Sequence, residues 1–131
     1  MGKVITAAIA LMLGAGSMAA QAAEADLDKG KKVFKKCKTC HEAEKDKNKI
    51  GPHLVGLFGR KAGTVEGFKF SPAMKAKGEE GLVWDAETLN EYLTKPKAFV
   101  PKTRMAFPGL KKEPDRTNLI GYLEKVTKPA E

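Results

Sequence analysis

The chain has 131 residues, with 24 lysines and arginines against 16 aspartates and glutamates and a formal net charge of +8. This length suits a single domain, and the sequence has no internal repeats and no low-complexity tail. A basic excess of this size is typical of proteins that meet nucleic acid, an anionic membrane or an acidic protein partner. No signature of a nucleic-acid-binding module occurs, so we expect no nucleic acid and an acidic protein partner.

The first 22 residues have the pattern of a secretory signal peptide. Lys3 precedes a stretch of apolar and small residues that continues to about Ala20, and the small residues after it suit a cleavage site. A membrane anchor is the alternative, but glycine and serine interrupt the stretch and the next charged residues are acidic. We therefore predict cleavage near Ala22 or Ala23, export to the periplasm without stable membrane insertion, and one domain over residues 23–131.

Four segments of this domain have helical signals. The first is expected over about residues 27–40, where apolar residues recur at helical spacing among lysines. A short helix is expected over 71–78, opened by a serine cap and a proline, and another over 85–95, ended by the following proline. The last helix is predicted over about 114–126, which carries an apolar stripe.

Two longer segments are expected to lack regular structure. From Lys45 to about Thr64 the chain is polar and then interrupted by glycines, which indicates a long loop with no room for an ordinary strand. Before the last helix, Pro96, Pro101 and Pro108 fix backbone angles and remove amide donors. This second segment is predicted to be a rigid, irregular strap.

The only two cysteines lie in Cys37-Lys38-Thr39-Cys40-His41, which has the Cys-x-x-Cys-His pattern of c-type haem attachment. Two thiols one turn apart can each add to a haem vinyl group, and the neighbouring imidazole can bind the iron. A redox dithiol would need a βαβ pattern around it. A structural zinc site would need four ligands, and His53 adds a fourth group only at a spacing that matches no common zinc finger. A plain disulfide stays open for an exported protein.

From Gly30 to Lys128 the sequence resembles the class I cytochromes c, of the bacterial periplasmic kind close to the mitochondrial carrier. The resemblance implies an all-α, cytochrome c-like fold with about four to five helices and long loops around one covalent haem. It also implies a monomeric single-electron carrier rather than an enzyme. The matching segments follow the family's order and are Gly30-Lys-Lys-Val-Phe34, Cys37-Lys-Thr-Cys-His41, Gly51-Pro-His-Leu-Val-Gly-Leu-Phe-Gly-Arg60, Gly67-Phe68, Trp84, Leu89-Asn-Glu-Tyr-Leu93, Pro101-Lys-Thr-Arg-Met-Ala-Phe107, and Asp115-Arg116 through Leu119-Ile-Gly-Tyr-Leu123.

The resemblance implies which residues hold the haem. Cys37 and Cys40 would form the thioethers, His41 would bind the iron on the proximal face, and Met105 would bind it on the distal face. Met105 belongs to a Thr-Arg-Met-Ala-Phe segment that matches the family's Thr-Lys-Met-x-Phe motif, with arginine in place of lysine. Met74 is the only other methionine after the signal segment, and the motif favours Met105. A thioether ligand stabilises ferrous iron and raises the reduction potential.

Further residues are assigned to the haem surroundings by the same resemblance. The Pro52 carbonyl would accept the other ring N–H of His41 and so fix its tautomer. Arg60 and the indole N–H of Trp84 would serve the propionates, which are partly buried and need donors. Phe70 stands where many relatives have a tyrosine near a propionate, so one such bond would be missing.

On the distal side, Tyr92 and Thr103 would lie close to the sulfur of Met105. Lys102 precedes this threonine at a position where the family often has glycine, and it adds a positive charge beside the strap. His53 is expected to be a surface or loop-packing residue rather than an iron ligand.

A positive ring is expected around the exposed haem edge, where an acidic partner would dock and be steered by opposite charge. The partners compatible with such a ring are a quinol–cytochrome c reductase, a cytochrome oxidase, a photosynthetic reaction centre and a periplasmic dehydrogenase. Two other functions stay open, a peroxidase and a ligand-binding haem sensor, and both need an exchangeable sixth position on the iron. The candidate ring residues are Lys35, Lys36, Lys97, Lys102, Arg104, Lys111 and Lys112.

Overall fold

The structure, a computed structural model, describes residues 24–130. Within this range there is no sheet, and the only β-type pairing is an isolated antiparallel bridge between Lys61 and Val83. The predicted all-α fold is therefore confirmed, whereas the predicted signal peptide, residues 1–22, lies outside the described residues. The helices of the described range are α1 (Leu27–Phe34), α2 (Pro72–Glu79), α3 (Ala86–Thr94), α4 (Pro96–Phe99) and α5 (Glu113–Val126).

Side-chain caps set where α1, α2 and α3 begin. The Ser71 hydroxyl accepts from the Met74 amide at 3.1 Å at the start of α2, and the Asp85 carboxylate accepts from the Thr88 amide at 2.8 Å at the start of α3. Asp26 caps α1 in the same way. Each bond satisfies an amide that has no partner within its own helix, so these caps fix the first turns.

The first and last helices cross in close contact. Gly30 of α1 lies against the backbone of α5 at Asn118, and a Cβ built on this glycine would be 2.7 Å from Tyr122 Cβ. One turn further along α1, the rings of Phe34 and Tyr122 pack with their centroids 5.6 Å apart. Leu119 of α5, which follows Asn118 in the chain, is completely buried. The short distance between the helices thus depends on a residue without a side chain.

A single hydrophobic cluster connects the helices with the long loops. Tyr92 of α3 lies near its middle, with ring centroids 5.1 Å from Trp84 and 6.1 Å from Phe99. This aromatic group joins α3 to α4 and to the segment before α3. The most deeply buried members of the cluster are Ala62, Val100, Leu110 and Leu119.

The predicted first helix is too long. It ends at Phe34, whose carbonyl accepts from the amides of both Cys37 at 2.8 Å and Lys38 at 3.0 Å. The Cys37 carbonyl then accepts from Cys40 at 3.1 Å, so the chain continues to residue 40 in turns rather than as a helix. Lysines are good helix formers, and nothing in their run marks this end.

The predicted proline strap is only partly irregular. Pro96–Phe99 forms α4, in which the proline occupies the first position, where its missing N–H costs no hydrogen bond. Residues 101–112 contain no helix or strand, as predicted. The loop over 45–64 likewise has no helix, and the predicted positions of α2, α3 and α5 agree with the structure within two residues.

Candidate haem site

Cys37 and Cys40 lie in the turns that follow α1, and both thiols are free and half-buried. Burial raises the pKa of the Cys37 thiol to about 11, and the positive charge of Lys36 offsets this only in part. Desolvation therefore keeps this sulfur neutral, whereas a redox dithiol depends on a lowered thiol pKa. The raised pKa therefore counts against a redox dithiol at this position.

The His41 ring is fixed in one orientation by the loop that follows it. Its Nδ1 lies 2.7 Å from the Pro52 carbonyl oxygen, which can only accept, so Nδ1 carries the proton and Nε2 has a free lone pair. Burial lowers the pKa of His41, although the bond to Pro52 acts in the opposite sense. The ring is thus held as the neutral tautomer that binds a metal through Nε2.

Gly51 makes the space for this ring. A Cβ on this buried glycine would lie 2.8 Å from His41 Nδ1 and 2.9 Å from Nε2, closer than such atoms can approach. The Gly51 amide also donates to the Cys40 carbonyl at 2.8 Å, which ties the loop to the cysteine turns. Sequence reasoning missed this role, although a glycine directly before proline in a haem-binding loop was a visible signal.

The side chains of Tyr92 and Thr103 come together with the Met105 sulfur. The Tyr92 hydroxyl lies 3.3 Å from Met105 Sδ and 3.2 Å from Thr103 Oγ1. The threonine oxygen also accepts from the Met105 amide at 3.3 Å. Met74, by contrast, is a buried core residue of α2. The half-buried methionine of the strap is therefore held by polar contacts at both its backbone and its sulfur.

Arg60 and Trp84 are neighbours in the fold. The Trp84 amide donates to the Arg60 carbonyl at 2.9 Å, and both side chains are at least partly buried. The Arg60 guanidinium donates to the carbonyls of Val55 at 3.1 Å and His53 at 3.2 Å, which leaves three of its five N–H groups for other acceptors. Among residues 24–130 no carboxylate pairs with it, so a partly buried cation retains donors for an anionic group such as a propionate.

The seven residues of the candidate docking ring are all exposed. Lys35 and Lys36 directly follow α1, Lys97 belongs to α4, and the others lie on the strap and just before α5. Lys102 adopts a left-handed backbone with φ of 66° and is the only non-glycine residue of the described chain with a positive φ. This is the position at which the resembling family often has glycine.

Asn48 is a second residue that sequence reasoning missed. Its Oδ1 accepts from the His53 amide at 3.0 Å, and its Nδ2 donates to the Glu66 carbonyl at 3.0 Å. The side chain therefore joins two stretches of loop that are 18 residues apart. No local sequence pattern indicates such a connection.

No helix within residues 24–130 is long and apolar enough to span a bilayer. In that same part of the chain, no three histidine, cysteine, aspartate or glutamate side chains converge as a set that would ligate a metal ion.

The fold and the site together define an all-α protein arranged to hold a haem covalently, and comparisons with known proteins agree. The cytochrome c family model matches residues 27–127. A cytochrome c of Gibberella zeae is 53% identical over 105 residues, covering 79% of this chain and 96% of the relative. A cytochrome c2 of Afifella marina is 50% identical over 96 residues, covering 72% and 77%. A cytochrome c-550 of Nitrobacter winogradskyi is 47% identical over 104 residues, covering 79% and 93%.

The chain therefore belongs to the cytochrome c family, as a class I member. Members of this family bind one c-type haem covalently, and Cys37 and Cys40 stand in the corresponding Cys-x-x-Cys-His motif. The protein is a haem-based electron carrier that works with redox partner complexes, and it is not an enzyme.

Proposed function

We propose that this protein is an exported periplasmic monomer that carries single electrons between membrane or periplasmic redox complexes on a His41/Met105-ligated haem. The haem supplies the one-electron couple. Cys37 and Cys40 would hold it by thioether bonds, each formed by addition of the S–H group across a haem vinyl group, with the sulfur on one vinyl carbon and the hydrogen on the other. The chain's remaining task is to orient the ligands, keep water away and present one edge to partners.

The observation that carries this proposal is the hydrogen-bonded setting of Met105. The Tyr92 hydroxyl donates to its sulfur at 3.3 Å, and Thr103 Oγ1 accepts from its backbone amide at 3.3 Å. The hydroxyls of Tyr92 and Thr103 are themselves 3.2 Å apart. A sulfur held in this way would fill the sixth position of the iron, while His41, oriented by Pro52, would fill the fifth. With both positions taken, no substrate site remains on the iron, which suits a carrier.

Arg60 and Trp84 would hold the propionates. The three uncommitted N–H groups of Arg60 support this role, because the guanidinium is partly buried and already anchored by two carbonyls. The half-buried Phe70 packs edge-on against Phe68 with centroids 4.8 Å apart, and it has no hydroxyl to offer a propionate. We therefore expect the propionates to have one fewer hydrogen-bond donor here than in relatives with tyrosine at this position.

The partner surface would be the positive ring of exposed residues that follow α1 and lie on α4, on the strap and just before α5. Opposite charge accelerates encounter more than it strengthens the complex, which suits a carrier that must soon leave. Candidate partners are a quinol–cytochrome c reductase, a cytochrome oxidase, a reaction centre or a periplasmic dehydrogenase. The ring consists of Lys35, Lys36, Lys97, Lys102, Arg104, Lys111 and Lys112.

Periplasmic location is supported by the pattern of residues 1–22, with cleavage near Ala22 or Ala23 and a functional domain over 23–131. The test is amino-terminal sequencing of the protein from the periplasmic fraction of an export-competent host. A mature terminus at Ala23 or within a residue or two of it supports the proposal. A haem-loaded protein that keeps Met1 would overturn it.

The distal ligand is tested by exchanging the two methionines separately. In holoprotein with Met105→Ala, the reduced iron should bind carbon monoxide, and its oxidised spectrum should lose low-spin character. Met74→Ala is the matched control, because it removes the same side chain from the core and should leave both spectra unchanged. If the control variant opens the iron and Met105→Ala does not, the assignment of the ligand is wrong.

A further inference from the structure

Ile50 is the most exposed large apolar side chain within residues 24–130. It is 76% exposed, whereas the other exposed members of this class, Leu27 and Val83, are 37% and 39% exposed. A single apolar residue in contact with water is common on soluble proteins, so exposure alone does not indicate a binding site. What distinguishes Ile50 is the turn that carries it.

Hydrogen bonds tie this turn to the Cys-x-x-Cys-His segment. The Gly51 amide donates to the Cys40 carbonyl at 2.8 Å. On the other side of Ile50, Lys49 Nζ donates to the Lys38 carbonyl at 2.8 Å. Within the turn, the Lys49 amide donates to the Gly51 carbonyl at 3.0 Å. Both neighbours of Ile50 are therefore bound to the segment that would carry the thioethers.

The turn has little freedom to move away from this segment. Gly51 is buried, and a Cβ at this position would lie 2.8 Å from His41 Nδ1, so its backbone packs directly on the imidazole. The Lys49 ammonium also lies 3.5 Å from the Glu42 carboxylate. Ile50 is thus presented to solvent by an ordered backbone. A contact residue that is already ordered loses little conformational entropy when a partner covers it.

Positive charge accompanies the same segment. Lys35 and Lys36 are exposed and directly precede Cys37, and the exposed Lys38 supplies the carbonyl that holds the turn. Protein interfaces commonly place a desolvated apolar contact inside a polar rim, and the apolar contact contributes most of the affinity. An isoleucine beside several lysines therefore matches an acidic partner surface that has an apolar patch among its carboxylates.

We propose that Ile50 is the apolar anchor of the partner-docking surface and that it fits an apolar patch flanked by carboxylates on a redox protein. This inference rests on the proposed function, because it takes the haem held at Cys37 and Cys40 to exchange electrons with such a protein. A partner that covers Ile50 lies beside the thioether segment and the loop that orients His41. The lysines then accelerate encounter, whereas burial of Ile50 stabilises the complex once it has formed.

Two other occupants of this surface are disfavoured by the same features. A second copy of the chain would bring like charges together, since the formal net charge is +8. A lipid surface is bound by a helix with a broad apolar face, and this turn presents one apolar side chain. An acidic protein partner agrees with both the charge and the size of the apolar contact.

The test is the dissociation constant of the purified holoprotein with a purified bacterial cytochrome oxidase, measured at low and at high ionic strength. Ile50→Ala should raise this constant about fivefold at both, because salt does not screen the burial of apolar surface. Lys36→Gln should raise it at low ionic strength only. Val83→Ala is the matched control, since it shortens an exposed apolar side chain in the bridge with Lys61, and it should leave the constant unchanged.

Oxidation by ferricyanide, a small inorganic oxidant that needs no docking surface, is the second measurement. Ile50→Ala should react at the wild-type rate and keep the wild-type reduction potential and visible spectrum. An unchanged dissociation constant in Ile50→Ala overturns the proposal. A changed reduction potential also overturns it, because the side chain would then pack on the haem rather than on a partner.

Sedimentation of the wild type and of Ile50→Ala, alone and with anionic phospholipid vesicles, separates the possible occupants. Both proteins should be monomeric and should bind the vesicles equally. Loss of a wild-type dimer or of vesicle binding in Ile50→Ala would assign the turn to a second copy or to lipid and overturn the proposal. If the wild type reacts with ferricyanide but does not bind the oxidase, the proposed function fails and this inference fails with it. That failure is visible in the wild type alone, without any variant.

Discussion

The Tyr92 hydroxyl donates to the Met105 sulfur at 3.3 Å, and with Met105 as the proposed distal ligand this contact would bear directly on the redox couple. Burial raises the pKa of Tyr92, so the hydroxyl remains a donor throughout the physiological range. A hydrogen bond to the sulfur withdraws electron density from it and makes it a weaker donor to ferric iron. Under the proposed ligation the bond would favour the reduced state, in the same direction as a thioether ligand itself.

We predict that Tyr92→Phe lowers the reduction potential, because the sulfur then donates more strongly to ferric iron. The measurement is a redox titration of the holoprotein at constant pH and ionic strength. Tyr122→Phe is the control, since that tyrosine packs against Phe34 at the crossing of α1 and α5 and should not affect the potential. A rise in potential in Tyr92→Phe would contradict this role of the hydroxyl.

Lys102 is the second residue with a consequence that can be measured. Its φ of 66° places an L side chain in the left-handed region, at a cost of about 1–2 kcal/mol. We predict that Lys102→Gly stabilises the holoprotein by about 1 kcal/mol, since glycine adopts this conformation freely and loses part of the gain through chain entropy. The measurement is the midpoint of denaturant unfolding. The slope of the unfolding free energy against denaturant concentration is compared between the variant and the wild type.

Lys102→Ala is the matched variant for this prediction. It removes the same charge but keeps the strained backbone, so its stability should stay within about 0.5 kcal/mol of the wild type. Equal stabilisation in both variants would show that charge, rather than backbone strain, is the cause.

The chemical role of a residue was predictable from the sequence where the residue belongs to a motif that indicates a particular chemistry. The Cys-x-x-Cys-His pattern predicted a c-type haem, and membership of the cytochrome c family confirms this cofactor. The individual roles of His41 and Met105 remain predictions that the geometry supports. Gly51 and Asn48 were missed because their importance lies in what they face across the fold, which no local pattern contains.

The crossing of α1 and α5 makes a strict demand on side-chain size. A methyl group at Gly30 would meet the Asn118 backbone and lie 2.7 Å from Tyr122 Cβ. We predict that Gly30→Ala destabilises the holoprotein by about 2 kcal/mol, because overpacking outweighs the gain of about 1 kcal/mol in helix propensity. Chemical denaturation of the haem-loaded protein measures the difference.

Lys31→Ala is the control for this helix, because the residue is on the exposed side of α1. Its stability should lie within about 0.5 kcal/mol of the wild type. If Gly30→Ala proved as stable as this control, the close approach of the two helices would not be a constraint on the fold.

Helix boundaries show where sequence reasoning ends. Caps and prolines predicted α2 and α3 well, because their signals are local. The end of α1 was missed because the lysines after Phe34 favour helix, and the turns there are held by contacts of the cysteine segment. The helix α4 was missed because a proline can open a helical turn as well as exclude one.

The charge of the whole molecule concerns its encounters rather than its fold. The proposed docking residues Lys36 and Lys97 are exposed, and their charges would steer an acidic partner. We predict that Lys36→Gln or Lys97→Gln slows electron transfer to a partner roughly several-fold at low salt, with the reduction potential almost unchanged. The measurement is the second-order rate constant as a function of ionic strength, and the difference from wild type should disappear at high salt.

Lys75→Gln is the control for charge alone, because this exposed lysine lies on α2 outside the proposed ring. Its rate should remain near the wild-type value. If the rate is indifferent to ionic strength, or if the control slows transfer as much as the ring variants do, the proposed docking surface is wrong.

At the scale of the whole molecule, the fold class and the order of the main helices were predictable, because the apolar spacing, caps and family motifs agree with each other. The arrangement of the long loop was not. Asn48 reaches Glu66, and Arg60 reaches the carbonyls of His53 and Val55, so the loop is organised by side chain–backbone bonds that leave no periodic pattern.

The central claim is that His41 and Met105 occupy both axial positions of a covalently held haem. The most direct measurement is the visible spectrum of the mature holoprotein, oxidised and reduced, with and without carbon monoxide. A low-spin spectrum that carbon monoxide does not change is the predicted result. A reduced spectrum that shifts when the gas is added would contradict the claim, because it would reveal an open or weakly held sixth position.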